Sequence, residues 1–172
     1  QLTQILLTHA HIDHAGGTGE LADTFKLPIV GPHPGDQFWI DGLPQQSQMF
    51  GFPRAEAFVP DRWLEYGDAV TFGKVTLEGI HTPGHTPGSI CFRLEGKPIL
   101  FSGDTLFPGG PGNTSLEGGD FDTIIASIEN LLYVNPHQLV SEAIELMRTT
   151  GVSQLPVCKN TPPFAAAEVS GS

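Results

Sequence analysis

A chain of 172 residues with 39% hydrophobic content has enough apolar material for one domain, or one plus a fragment. Its 19 acidic residues against 8 basic ones give a net charge of −11, which excludes nucleic acid and anionic membrane as partners held by bulk electrostatics. Cys91 and Cys158 are too few for a disulfide framework, no signal peptide is evident, and no apolar run is long enough to cross a membrane, so buried thiols in a reducing cytoplasm are expected. The chain starts at Gln1 and enters a strand at once, which reads as a fragment of a longer reading frame or a trimmed chain. Its 15 Pro and 21 Gly predict short elements joined by many loops.

The first predicted element is a buried strand at Ile5-Leu6-Leu7. It runs into His9-Ala10-His11-Ile12-Asp13-His14, where three imidazoles and a carboxylate fall within six residues. Imidazole and carboxylate are the groups that zinc and its neighbours take from proteins, so this loop is a candidate metal site rather than a merely polar turn. Leu21, Ala22 and Phe25 then recur at helical spacing and predict a short helix packed on the strand. Pro28 to Gly31 is the next strand, which makes a βαβ unit. His33 reads as a surface loop residue.

Residues 37 to 66 are irregular and carry Phe38, Trp39, Met49, Phe50, Phe52, Phe58, Trp63 and Tyr66. A helical excursion burying most of these side chains is expected, with one or two left to line a substrate pocket. Strands are predicted at Val70–Phe72, Lys74–Leu77, Ser89–Leu94 and Pro98–Phe101, the last two joined by a turn at Glu95-Gly96. His85 therefore falls on a loop between strands, and Asp104 just past a strand end. His81 is expected to be scaffold. The stretch from Phe107 to Asp120 is a long glycine-rich loop lacking the Lys-Ser/Thr of a phosphate-binding P-loop. Asp120 is placed to cap a helix whose apolar face is Ile124, Ile125, Ile128, Leu131 and Leu132.

His9-x-His11-x-Asp13-His14, then His85 in Gly84-His85-Thr86-Pro87-Gly88, then Asp104 in Ser102-Gly103-Asp104-Thr105, occur in an order that resembles the metallo-β-lactamase superfamily. Within it, these motifs are most similar to the hydrolases of the glyoxalase II type. The resemblance covers about residues 1 to 131. It implies an α/β fold, a partial αβ/βα sandwich without its N-terminal strands and C-terminal closing elements. It also implies a zinc centre in which His9, His11 and His85 hold the first ion, Asp13 and His14 belong to the second, and Asp104 bridges the two. Two zinc ions are expected from the family, and the first is the more secure here. A metal-bound hydroxide would then attack a small-molecule thioester or related ester, with Asp13 orienting the nucleophile. In the resembling hydrolases the glycine-rich loop often carries Arg where this chain has Asn113. The family's closing Gly-His-Gly-type loop, which supplies the last ligand of the second metal, is absent.

From residue 132 to 172 the chain reads differently. Val140, Ala143, Ile144 and Met147 form a helical stripe, Gly151 stops it, and Val152 to Val157 reads as a strand. With Pro136 and the Gly151-Val152-Ser153-Gln154-Leu155-Pro156-Val157 run, this segment resembles a partial CBS domain, as a βαβ piece. His137 reads as a helix-start residue. Two alternatives to a working hydrolase stay open: a truncated or chimeric zinc-binding protein with little activity, and a CBS-type module sensing an adenosine ligand. Exposed sheet edges left by the missing elements would favour oligomer formation.

Overall fold

The structure is a computed structural model, and it describes residues 2–132. All but the first residue of the CBS-like segment expected over 132–172, with His137 and Cys158, lies outside the described residues.

The chain opens with β1 (Ile5–Leu6), which leads through α1 (Ile12–Ala15) and α2 (Thr18–Phe25) to β2 (Ile29–Val30). The two strands pair in parallel, Ile5 beside Ile29 and Leu6 beside Val30, as the βαβ reading requires. The helix between them departs from expectation. Leu21 and Phe25 are 47% and 54% exposed, so of the predicted stripe only Ala22 packs on the core. Ala15, Thr18 and Ala22 meet the core instead. Ala15 ends α1, while Thr18 and Ala22 lie four residues apart on α2, on the face adjacent to Leu21 and Phe25.

A 3-10 turn at Pro34–Asp36 and two short helices, α3 (Gln37–Asp41) and α4 (Leu43–Phe50), make up the expected helical excursion. Its packing is carried by aliphatic side chains rather than rings. Ile40, Leu43 and Ala55 join Leu7, Ala10, Ile12, Ala15 and Ile29 in one core cluster. Trp39, Phe58 and Trp63 are partly buried against it, whereas Phe38, Met49, Phe50, Phe52 and Tyr66 are exposed. The expected burial of most of these large side chains is therefore corrected: the narrow space beside the parallel strand pair takes small and branched groups, and the rings remain at its rim.

Strands β3 (Ala69–Phe72), β4 (Val75–His81), β5 (Ile90–Leu94) and β6 (Leu100–Phe101) form an antiparallel sheet in that order. Strand β4 runs beyond the expected Leu77, because Ile80 and His81 continue the ladder against Cys91 and Ile90. Val70, Leu77, Ile90 and Phe92 bury one face of this sheet against Val30 and Leu64. Burial of such side chains stabilises by about 1.5–3 kcal/mol each. The two sheets meet where Ile90 N–H donates to the Thr8 carbonyl at 2.8 Å, setting the end of β1 beside the start of β5.

The glycine-rich stretch is not one open loop. It begins as a tight hairpin of β7 (Leu106–Phe107) and β8 (Gly110–Pro111). Helix α5 (Phe121–Leu132) follows, and the Asp120 carboxylate accepts from Thr123 N–H at 2.7 Å, the capping expected of it. Ile124, Ser127 and Leu131 are buried, with Ile125 and Ile128 half-buried beside them. Ser127 donates its hydroxyl to the Pro83 carbonyl at 2.7 Å, which fastens the helix to the loop bearing His85.

Candidate metal centre

Three loops leaving strands converge. The first follows β1 and carries His9, His11, Asp13 and His14, the last two on the short helix α1. The second joins β4 to β5 and carries His85, and the third follows β6 and carries Asp104. Backbone at strand ends on a packed sheet is fixed by the ladder, so side chains there are held in place before any ion arrives.

The ligand-type atoms fall into two groups, His9 with His11 and His85, and His9 with His14 and Asp104, each within 4.8 Å of one another. His9, His11 and His85 are buried. His11 Nδ1 lies 2.9 Å from His85 Nε2. His14 Nε2 lies 3.2 Å from one Asp104 oxygen, and His85 Nε2 lies 3.8 Å from the other. His9 is common to both groups, and Asp104 of the second also approaches His85 of the first. Asp13 belongs to neither, although its carboxylate is 3.6 Å from His14 Nε2 and is 55% exposed. Among the described residues, five of the six sequence-predicted ligands come together, and Asp13 lies at the rim.

The donor set fits a metal ion. His85 Nδ1 is bonded to the Asn113 carbonyl at 2.6 Å, which turns Nε2 toward His11 Nδ1 and Asp104. His9 Nδ1 contacts the Thr8 hydroxyl at 3.1 Å, while its Nε2 is buried without a hydrogen-bond partner. Fixing one ring nitrogen and leaving the other bare is how proteins orient a ligating imidazole. His11 Nε2 is also buried and unpartnered, and the ring stands edge-on to Trp39 at 4.6 Å. Burial, then the neighbouring His14, His85 and His11, pushes His9 down to about 2. Burial and His85 push His11 down to about 4, with Asp13 acting the other way. Both are therefore neutral at pH 7 and offer lone pairs, the form a metal requires.

Several residues that shape the site escaped the sequence reading. Asn113 acts through its backbone carbonyl on His85, and its side chain accepts from Ser115 N–H at 2.9 Å. The neighbouring Gly112 must be glycine, because a Cβ there would run into the Asp104 carbonyl. Gln46 accepts from Ile12 N–H at 3.0 Å and donates to the Ala10 and Trp39 carbonyls, bracing the first loop from α4. Asp36 is fully buried, and its carboxylate accepts from Ala10, Thr86 and Gly88. Its only sequence signal was a turn-rich Gly-Pro-His-Pro-Gly-Asp stretch, which does not reveal burial. His33 stacks on His81 at 3.8 Å, away from the ligand groups, and His81 bonds the Pro87 carbonyl at 2.8 Å, consistent with a scaffold role. Cys91 is a buried free thiol, as expected. A groove of about 860 Å³ between α2 and residues 54–61 has none of these ligands in its walls.

A mixed α/β frame whose strand-end loops gather imidazoles and a carboxylate defines a class of protein built around a metal site. The chain belongs to the metallo-β-lactamase superfamily, whose profile matches residues 1–135. It is similar to the hydroxyacylglutathione hydrolase GloC of Haemophilus influenzae, with 42% identity over 132 residues that cover 76% of this chain and 62% of that protein. It is also similar to the probable metallo-hydrolase YqgX of Bacillus subtilis, at 37% identity over 79% of this chain and 65% of the relative. Among solved structures, the di-iron-bound form of TTHA1623 aligns with a TM-score of 0.70 at 35% identity, covering 79% of this chain and 66% of that one. The chain thus spans less than two thirds of the length of these relatives. Among the described residues, no helix is long and apolar enough to cross a membrane.

Proposed function

We propose that this chain carries the metal centre of a glyoxalase II-like hydrolase acting on a small-molecule thioester or related ester. The observation that carries the reading is the convergence of His9, His11 and His85 in one group and of His9, His14 and Asp104 in a second. The similarity to a hydroxyacylglutathione hydrolase supports the substrate class. His9, His11 and His85 would hold a first divalent ion, and His14 with Asp104 and Asp13 a second. Zinc is the metal we favour, and the di-iron form of a relative makes iron the competitor to measure beside it. Metal bound there would supply a nucleophile from water at neutral pH and polarise the scissile carbonyl.

The chain's own side chains do the rest. The neutral imidazoles of His9 and His11 keep the first position free of protons. Asp104 holds the two ligand groups at a fixed spacing. Asp13, exposed and next to His14, would orient the attacking water toward the carbonyl. The purified 172-residue chain loaded with zinc should hydrolyse S-acyl thiols, with the rate abolished in His9→Ala. Equal rates for the two proteins across a panel of thioesters and esters would refute the proposal.

A further inference from the structure

Asp36 lies outside the ligand set and is 0% exposed. A carboxylate this deeply buried requires a compensating set of donors, and it has them. Oδ2 accepts from Ala10 N–H at 2.9 Å and from the Thr86 hydroxyl at 3.0 Å, and Oδ1 accepts from Gly88 N–H at 2.6 Å. The placement of these donors matters. Ala10 sits between His9 and His11, while Thr86 and Gly88 follow His85. One carboxylate therefore joins the two loops that supply the three buried imidazoles. The close approach is built into both sides. A Cβ at Gly88 would come within 2.6 Å of the Asp36 carboxyl carbon, and one at Gly35 within 2.9 Å of the Pro87 backbone. The turn bearing Asp36 is itself held in place, with Asp36 N–H donating to the His33 carbonyl and His33 N–H to the Gly88 carbonyl. Gln46 braces only the first loop.

We infer that Asp36 is a positioning residue for the metal centre, its buried carboxylate fixing the spacing between the His9–His11 pair and His85. This rests on the metal reading above, though not on any particular substrate. Metal–nitrogen distances tolerate only a few tenths of an ångström, so a small slide of one loop past the other weakens the ion's hold. Asn is nearly isosteric with Asp but cannot replace it. In either orientation its NH2 group faces a donor, Gly88 N–H on one side or Ala10 N–H and the Thr86 hydroxyl on the other.

The test uses the full chain loaded with cobalt(II), read by its visible absorption bands and by competition against a chelator. Asp36→Asn should weaken cobalt binding by about 10–100-fold and shift the bands. Thr86→Val, which removes one of the three donors, should move both in the same direction by less. Asp61→Asn is the control, because Asp61 accepts from Ile29 N–H at 2.7 Å away from the ligand loops. It should lower thermal stability and leave the cobalt spectrum and affinity at wild-type values. A wild-type spectrum and affinity in Asp36→Asn would overturn the inference, and so would equal changes in Asp61→Asn. If Asp36→Asn does not fold, a wild-type spectrum in Thr86→Val overturns it instead. A wild-type chain that takes up no cobalt removes this inference together with the metal reading. Hydrolysis is not read here, so a failure of the thioester chemistry falls on the proposed function alone.

Discussion

At the scale of single residues, the centre depends on groups kept in one protonation state by their surroundings. His9 is pushed down to about 2 and His11 to about 4, burial being the larger cause for each. An unfolded chain binds protons at both positions below about 6.5, whereas the folded, metal-free chain refuses them until far lower pH. The folded state therefore binds fewer protons, and its stability falls as pH drops through this window. Asp36, raised by burial, acts in the opposite sense nearer the carboxylate range, so the imidazole effect is clearest in the upper part. Chelator-treated protein should show a melting temperature that declines steadily from about pH 7 to about pH 5. A flat or rising profile there would contradict the burial of these imidazoles. Asp13 gives a second test at this scale. Asp13→Asn should cut turnover and reduce bound metal without emptying the site, because His9, His11 and His85 remain intact. Metal analysis beside steady-state rates would show it, and unchanged metal content with unchanged turnover would remove Asp13 from both roles.

At the scale of elements, the loops are only as fixed as the helices and strands behind them. Ile124 is fully buried on α5, and Ser127 on the same helix bonds the loop that carries His85. Ile124→Ala should cost about 2–5 kcal/mol in urea denaturation, the usual range for emptying a buried aliphatic position. A loss below 0.5 kcal/mol, the scale of ordinary surface changes, would mean that α5 does not anchor the site. The elements also show what the sequence could reveal. The strands of the antiparallel sheet, the βαβ unit and the capped helix α5 were legible because alternation, turn residues and capping act locally. The buried face of α2 was legible only at Ala22, since Leu21 and Phe25 satisfy helical spacing beside the face that packs. The exposed rings of residues 37 to 66 were misread for a related reason: aromatic content says that a ring can be buried, while the space available is set by distant chain.

At the scale of the whole molecule, the ligands contributed by one contiguous motif were readable at once, and His85 and Asp104 followed from their glycine-flanked settings. Asp36, Gln46 and the Asn113 carbonyl were not, because each acts through a tertiary contact that no local pattern encodes. These three brace the loops that the motifs occupy. The net charge of −11 also takes on meaning here, since two divalent ions would offset part of it. The central claim is that strand-end loops of this superfamily member hold metal between His9, His11, His85, His14 and Asp104. Its most direct test is elemental analysis of the purified 172-residue chain for zinc and iron, with His9→Ala measured alongside. About one ion per chain or more is expected in the wild type, approaching two if the second group also fills, with little in the variant. A wild-type chain without bound metal after incubation with either ion, or one that loses none through His9→Ala, would contradict the claim.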